Sequence, residues 1–348
     1  MTITFPDLPP VIEGSSAWYG PAMAESSNWI EHLSDAEIIE IERATSRLAE
    51  KNIEIPVIRG NDFPLPTLSL RLAGILKEVL DGRGFALLRR LPVERWTESE
   101  AAIAFFGLGA HLGSARSQNA QGHLLGHVKD LGLSSSDPNV RIYQTRERQT
   151  FHTDSCDVVA LLCLQSAKSG GLSSLVSSVT IFNEMRRRRP DLLKMLFAPI
   201  ETDRRGEVTE KSKPYFTIPI FNWHAGLLSI IYQRQYIESA RRFSEVPPLT
   251  DQQIEALDLF DALANDPELH FEMELRPGDV QLVHNHTLLH DRTAFEDWPE
   301  PERKRHLLRL WLAPRVARPL PPVFAERYGS ITPGDRGGVM ASSARLRD

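Results

Sequence analysis

The chain has very little cysteine. Only Cys156 and Cys163 occur among 348 residues, too few for a disulfide framework. Neither sits in a CxxC or CxxH spacing, which excludes the usual structural zinc module. The two lie seven apart across an expected strand, and both are expected to stay reduced in a cytoplasmic protein. Long apolar runs are also missing, so no membrane-spanning helix is expected. The opening MTITFPDLPPVIEG has neither a basic n-region nor an apolar h-region, and no signal peptide is read. No GxGxxG or Walker sequence follows a strand, which removes the common nucleotide-binding readings. There is no internal repeat and no low-complexity segment. Positive charge is in deficit, with a formal net charge of -6, so neither nucleic acid nor an anionic membrane is an expected partner. The one basic run, Arg186 to Arg189, ends a helix before Pro190. Cations there suit the helix dipole and solvent, and no aromatics interleave with them as a nucleic-acid surface would need.

What is present is ordinary globular material, 41% hydrophobic and 25% charged. The first thirty residues are rich in Pro and Ser and read as an extended lead-in. Ser34-Asp35-Ala36-Glu37 is a capping box that opens an amphipathic helix to about Lys51. A second helix is expected over Leu68 to Leu80, followed by the turn Asp81-Gly82-Arg83-Gly84 and a buried strand, Phe85-Ala86-Leu87-Leu88. Thr97-Glu98-Ser99-Glu100 is another capping box, with a helix to about His111. Residues 1–80 are therefore read as a lead-in with helices packed on a barrel, and 81–348 as the main domain, the whole being one structural unit. From Val140 the texture changes to short apolar strands: VRIYQT, DVVALLCLQ, SSLVSSV, YFTIPIF, LSIIYQ, LHFEMEL, DVQLVHN and HLLRLWL. Two helices, Thr180 to about Phe197 and Thr250 to about Asn265, interrupt them. Many short strands separated by turns predict a sandwich or barrel, mainly β with flanking helices (α+β), rather than a parallel βαβ sheet.

Two of the 11 histidines stand two residues before an acid. In LHFEMEL, Leu269, Phe271, Met273 and Leu275 alternate with His270, Glu272 and Glu274. That is a half-buried strand with a polar outer face, and it needs no further explanation. In FHTDSCD, His152 and Asp154 would project to the same face of a strand, as adjacent ligands of one metal must. A third ligand has candidates in LVHNHTLLHDRTAF: His284, His286 and His290. Further on, Arg305, Leu307, Arg309 and Trp311 share one face of the RHLLRLW strand. Two guanidinium groups among apolar residues are costly to bury without an anion, and each offers a fork that fits a carboxylate.

Taken together these residues resemble the TauD/TfdA family of iron(II)- and 2-oxoglutarate-dependent dioxygenases. The resemblance rests on His152-x-Asp154, on His290-Asp291-Arg292-Thr293-Ala294-Phe295 in place of the family's usual His-Gly-Arg-Thr-x-Phe, on Arg305 fifteen residues later, and on Gly170-Gly171-Leu172-Ser173 in place of Gly-Gly-x-Thr. It covers roughly Phe85 to Pro314. It implies a double-stranded β-helix, a jelly-roll or cupin-like barrel. It implies that His152, Asp154 and His290 form a facial triad for Fe(II), with 2-oxoglutarate as cosubstrate and O2 as oxidant. Arg305 resembles the arginine that pairs with the far carboxylate of 2-oxoglutarate, and Ser173 the hydroxyl beside it. Arg309 resembles a position that meets an acidic group on cosubstrate or substrate. The phrase match favours His290 over His286 as the distal ligand.

The implied reaction is hydroxylation, or another oxidation, of a C–H bond in a small molecule, with release of succinate and CO2. The second arginine suggests a carboxylated or otherwise anionic substrate. Gln118, Asn119 and Tyr143, upstream of the metal motif, are candidate lining residues beside Arg309. Two other classes stand against this reading. A zinc hydrolase on a similar barrel would accept the same ligands but leave Arg305 and Ser173 without work. A non-catalytic small-molecule-binding barrel would not need the full set. A homo-oligomer is compatible with all three.

Overall fold

The structure, a computed structural model, describes residues 8–51, 53–134, 141–207 and 212–339. Its helices begin where side-chain caps permit. The Ser34 hydroxyl accepts from the Glu37 N–H while the Glu37 carboxylate accepts from the Ser34 N–H, which starts the helix Asp35–Glu50. Thr97 and Glu100 do the same for Glu98–Leu112, and Thr250 and Gln253 for Asp251–Ala264. Each reciprocal pair satisfies two backbone donors that the first turn leaves orphaned. Glu98–Leu112 is buried on nearly every side, because it lies between the helices Asp35–Glu50 and Leu68–Asp81 and the strand His306–Ala313.

Two sheets form the core. The larger has seven strands, in the order Ile30–His32, Phe85–Arg89, Val280–His284, Val158–Gln165, His306–Ala313, Ser114–Arg116, with Leu125–Val128 also paired to His306–Ala313. Only its first pair is parallel. The smaller has four antiparallel strands, in the order His270–Met273, Ser173–Ser177, Leu288–Arg292, Gln149–His152. The alternation of each strand explains which side faces what. Along His306–Ala313, Leu308, Leu310 and Leu312 enter the core shared with the helices Asp35–Glu50, Leu68–Asp81 and Glu98–Leu112. Leu307 and Trp311 belong to the core between the sheets, with Phe85, Val159, Leu175, Phe271 and Val283. The helices Ser178–Arg188 and Asp251–Ala264 cover the smaller sheet through Phe182, Leu257 and Phe260. This is the expected jelly-roll core with helices outside. Among the described residues no helix is long and apolar enough to cross a membrane.

Four local expectations are corrected. The stretch read as a strand at VRIYQT holds a 3-10 turn, Ile142–Gln144, while Val140 lies outside the described residues. Arg141 explains the turn: its side chain bonds the Tyr236 hydroxyl, the Arg205 carbonyl and Glu207, which holds the chain against the barrel mouth rather than in a ladder. The lead-in is not wholly extended. It contains the helix Gly20–Glu25 and the strand Ile30–His32 on the edge of the large sheet, pinned by Trp18 and Trp29 against Phe85 and Phe271. SSLVSSV is a strand only to Ser177, whose hydroxyl caps the next helix from Ser178. The helix expected over 180–197 is two, Ser178–Arg188 and Pro190–Met195. The break is at Arg189, because a residue before proline is driven from the helical region.

Candidate active site

The smaller sheet brings the two motif histidines together. His152 ends the strand Gln149–His152 and is the direct cross-strand partner of His290 in Leu288–Arg292. Their rings are 4.1 Å apart, centroid to centroid. Asp154 follows two residues after His152, in the turn that leads to Val158–Gln165. Its Oδ1 lies 3.9 Å from His152 Nε2 and its Oδ2 lies 3.8 Å from His290 Nε2. One ligand atom from each of the three fits within a span of 4.8 Å, a separation that one metal ion can bridge.

Neighbouring groups orient these ligands. His152 Nδ1 is 2.8 Å from the Thr150 carbonyl. A carbonyl only accepts, so Nδ1 carries the proton and Nε2 presents its lone pair. Gln149 Nε2 donates to that lone pair at 2.8 Å. Trp311 Nε1 donates to Asp154 Oδ2 at 2.8 Å, and Arg309 Nη1 lies 3.8 Å from the same oxygen. The Asp154 backbone N–H donates to Asn285 Oδ1 at 2.9 Å. Burial favours the neutral form of His152 and pushes its pKa down. Burial takes His290 down to about 3. Burial alone would raise Asp154, but Arg309 and the two histidines outweigh it, so its pKa is lowered and the carboxylate stays ionised. Two neutral imidazoles and one carboxylate are the protonation states a metal needs.

The other candidates separate into two places. Gln118, Asn119, Tyr143 and Arg309 line one cavity of about 860 Å3 together with His152 and Asp154. Arg309 Nε donates to Gln118 Oε1 at 2.6 Å, and Tyr143 lies under its guanidinium at 4.7 Å. Arg305 lines a smaller pocket of about 60 Å3 with Cys163, Gly170, Gly171 and Leu307. Ser173 is buried on the strand beside His290. Arg292 is its cross-strand partner, and its hydroxyl donates to Gln281 Oε1 at 3.0 Å.

The Arg305 pocket holds a buried guanidinium with a donor free among the described residues, and Glu274 also lines it. Arg305 is 5% exposed, and its Nη1 has no hydrogen-bond partner. Burial lowers its pKa to about 10. Burial and then the charge of Arg305 lower Arg292 to about 9, although Arg292 donates to the carbonyls of Thr145 and Glu147. The glycines of the Gly-Gly motif make room here. Gly171 has φ +68, and a Cβ on it would come within 3.0 Å of Arg305 Nε.

His286, the other histidine weighed against His290, is engaged elsewhere. His286 Nε2 is 3.0 Å from Asp157, and Asp157 is held by Arg336 at 2.6 Å, all three fully buried. Neither joins the cluster at His152. Both cysteines are buried and free, and burial raises both thiols. A second group with metal-ligand geometry, Glu98, His127 and His306, went unnoticed in the sequence because its members share no motif. His127 Nδ1 and His306 Nε2 are 2.8 Å apart and can share one proton, and none of the three lines the large cavity. Gln149, Trp311, Arg141, Arg205, Glu207, Tyr236 and Arg327 also line that cavity. Of these, only Trp311 had a sequence signal, its place on the Arg305–Arg309 face.

The profile described as "Taurine catabolism dioxygenase TauD, TfdA family" matches residues 46–311. FR-33289 synthase of Streptomyces rubellomurinus is 33% identical over 325 residues, covering 91% of this chain and 95% of that protein. Taurine hydroxylase-like protein SAT17 of Stachybotrys chartarum is 28% identical over 321 residues, covering 89% and 82%. Among solved structures, asparagine oxygenase in complex with Fe(II), 2S,3S-3-hydroxyasparagine and succinate is similar with a TM-score of 0.65 at 18% identity, covering 82% of this chain and 93% of that one. At that identity the likeness speaks for the fold.

Proposed function

The chain belongs to the TauD, TfdA family of dioxygenases, and from that premise we propose that His152, Asp154 and His290 hold its iron while Arg305 and Ser173 receive the far carboxylate of 2-oxoglutarate. As a member it is an Fe(II)- and 2-oxoglutarate-dependent oxygenase of a small molecule, with O2 as oxidant. The observation that carries the residue assignment is the convergence of three ligand atoms within 4.8 Å, two of whose residues, His152 and Asp154, line the large cavity.

The donor set fits the metal. His152, Asp154 and His290 would hold the iron through two imidazoles and one carboxylate, a donor set that suits Fe(II) and would leave it room for other ligands. The buried Arg305 with its orphaned Nη1 fits an incoming carboxylate, because a desolvated guanidinium gains a charge-assisted pair for a donor that has no partner among the described residues. When bound, iron and 2-oxoglutarate supply the oxidation of an unactivated C–H bond, which no side chain here can do.

The chain's own residues bind and orient. The Thr150 carbonyl fixes the His152 tautomer. Trp311 holds the Asp154 carboxylate in its rotamer. Gln118 restrains Arg309, whose guanidinium lines the cavity with Nη1 3.8 Å from Asp154 Oδ2. We assign Arg309, Gln118, Asn119 and Tyr143 to the substrate, and take that substrate to be a small molecule with a carboxylate or other anionic group. Taurine, named by the family profile and by SAT17, carries a sulfonate beside its ammonium group, and the asparagine of the solved relative carries a carboxylate beside its own, which supports the same choice. The test is succinate release by the purified protein with Fe(II), 2-oxoglutarate and a panel of small anions. Release that needs both iron and 2-oxoglutarate, and that is lost in Asp154→Ala, supports the assignment. Release undiminished in Asp154→Ala removes it.

A further inference from the structure

A second place on the molecule gathers metal-ligand side chains. Glu98, His127 and His306 come from three segments, and one ligand atom from each lies within 4.8 Å of the others. Glu98 is the first residue of the helix Glu98–Leu112, His127 lies in the strand Leu125–Val128, and His306 opens the strand His306–Ala313. None of the three lines the large cavity or the Arg305 pocket.

The fold explains the meeting. The two strands pair antiparallel, with His127 directly opposite Leu308, and His306 lies two residues before Leu308. The imidazoles are therefore diagonal neighbours, with ring centroids 5.1 Å apart. Leu308 enters the core beneath the helix Glu98–Leu112, and the two histidines extend that contact to where the helix begins. The capping box there is made by Thr97 and Glu100, which leaves the Glu98 carboxylate to turn toward the rings. Its Oε1 lies 3.7 Å from His127 Nδ1 and its Oε2 lies 3.8 Å from His306 Nδ1.

The nitrogen pair points to a cation. His127 Nδ1 and His306 Nε2 face each other at 2.8 Å, so without a metal one of them donates a proton that the other accepts. The two side chains are only 12% and 13% exposed. Burial pushes the His306 pKa down to about 4, and a neutral imidazole is the form that binds a metal. Ligand atoms about 2.0–2.1 Å from a zinc ion stand roughly 3.3 Å apart in a tetrahedron. The two contacts of His127 Nδ1, 2.8 Å to His306 and 3.7 Å to Glu98, bracket that separation. Glu98 is exposed, so water can reach a fourth position. Lys129 adds positive charge near His306, and the Glu98 carboxylate offsets it.

We propose that Glu98, His127 and His306 form a second metal site, for a divalent transition ion of the zinc type. The ion takes the place of the shared proton and ties the first turn of the helix Glu98–Leu112 to the two strands. Two imidazoles and one carboxylate suit such an ion, whereas Mg2+ and Ca2+ take oxygen ligands. The strand His306–Ala313 presents Arg309 and Trp311 to the large cavity further along, so the ion braces that strand at its start.

The test is calorimetric titration of the metal-free, tag-free protein with Zn2+, in the native chain and in the double variant His152→Ala/Asp154→Ala, which removes two ligands of the proposed iron site. The double variant should still take one equivalent of zinc, and its thermal midpoint should rise with zinc. Adding His127→Gln or His306→Gln should abolish that equivalent. Glu98→Gln, at an exposed position, should weaken it by at least about tenfold, since losing even a ligand's supporting partner costs that much. Mg2+ at the same concentration should not bind. Circular dichroism shows that each variant is folded. A folded double variant that takes up no zinc, or one whose equivalent survives both His127→Gln and His306→Gln, would overturn the site. A native chain with a single equivalent, lost in His306→Gln and kept in the double variant, would support this site and count against the triad as a metal centre.

Discussion

Trp311 Nε1 donates a 2.8 Å hydrogen bond to Oδ2 of Asp154, across 157 residues of sequence. It reaches the carboxylate from the strand His306–Ala313, opposite the sheet that carries His152 and His290. A carboxylate held this way keeps one rotamer, and its oxygens stay turned to the two imidazoles. Trp311→Phe keeps most of the packing and removes the donor. Fe(II) affinity should fall by about tenfold or more, the usual cost of losing such an orienting partner, with the fold intact by circular dichroism. Unchanged affinity would make the Trp311 contact incidental.

The two ends of the proposed centre should separate in mutants. His152→Ala and Asp154→Ala should abolish iron binding measured by metal analysis after desalting. Arg305→Ala should leave iron binding nearly as it is and raise the 2-oxoglutarate concentration needed for half-maximal succinate release by at least about tenfold. If Arg305→Ala leaves that concentration unchanged, the anion role passes to Arg309.

Gly171 gives an independent approach to the same pocket. Its φ of +68 strains any L side chain, and a Cβ would press on Arg305 Nε at 3.0 Å. Gly171→Ala should therefore copy the Arg305 phenotype, a raised 2-oxoglutarate requirement, and lower the thermal midpoint, since a β-carbon in the left-handed region costs about 1 kcal/mol. Native-like 2-oxoglutarate dependence in this variant would show that Arg305 has room to spare.

Acid should destabilise the metal-free protein before its carboxylates titrate. Burial lowers the pKa of His152, His284, His286 and His290. Below about 6.5 the unfolded chain takes up protons that the folded one refuses. Folding stability is therefore full above that pH and declines as pH falls, by up to ~1.4 kcal/mol per pH unit for each such histidine. Urea midpoints at about pH 7.5 and 5.5 would measure this. A midpoint that is flat or rises toward acid would contradict it.

Much of this architecture was legible because it is local. Ser34 with Glu37 and Thr97 with Glu100 announce their helices, and the alternation in RHLLRLW already divides Leu308, Leu310 and Leu312 from Arg309 and Trp311. The pair His152 and Asp154 was legible as close neighbours, although the strand expected to carry both ends at His152 and Asp154 lies in the connection after it. The rest depends on contacts between distant segments. The 3-10 turn at Ile142–Gln144 looked like a strand because its apolar content says nothing of the Arg141 bonds that bend it. Arg141, Glu207, Tyr236 and Arg327 converge from four segments, and no spacing rule reports that. The separation of Arg305 and Arg309 into two pockets was equally hidden: the alternation put both on one face of one strand, whereas Arg305 precedes the strand His306–Ala313 and the register shifts between His306 and Leu307.

The most direct measurement is an anaerobic titration of the metal-free protein with Fe(II) and then 2-oxoglutarate, followed in the visible spectrum. A weak charge-transfer band that needs both additions, absent in Asp154→Ala and shifted to higher 2-oxoglutarate in Arg305→Ala, is the predicted result. A folded protein that takes up iron yet gives no band with 2-oxoglutarate would contradict the assignment of His152, Asp154, His290 and Arg305 to one centre.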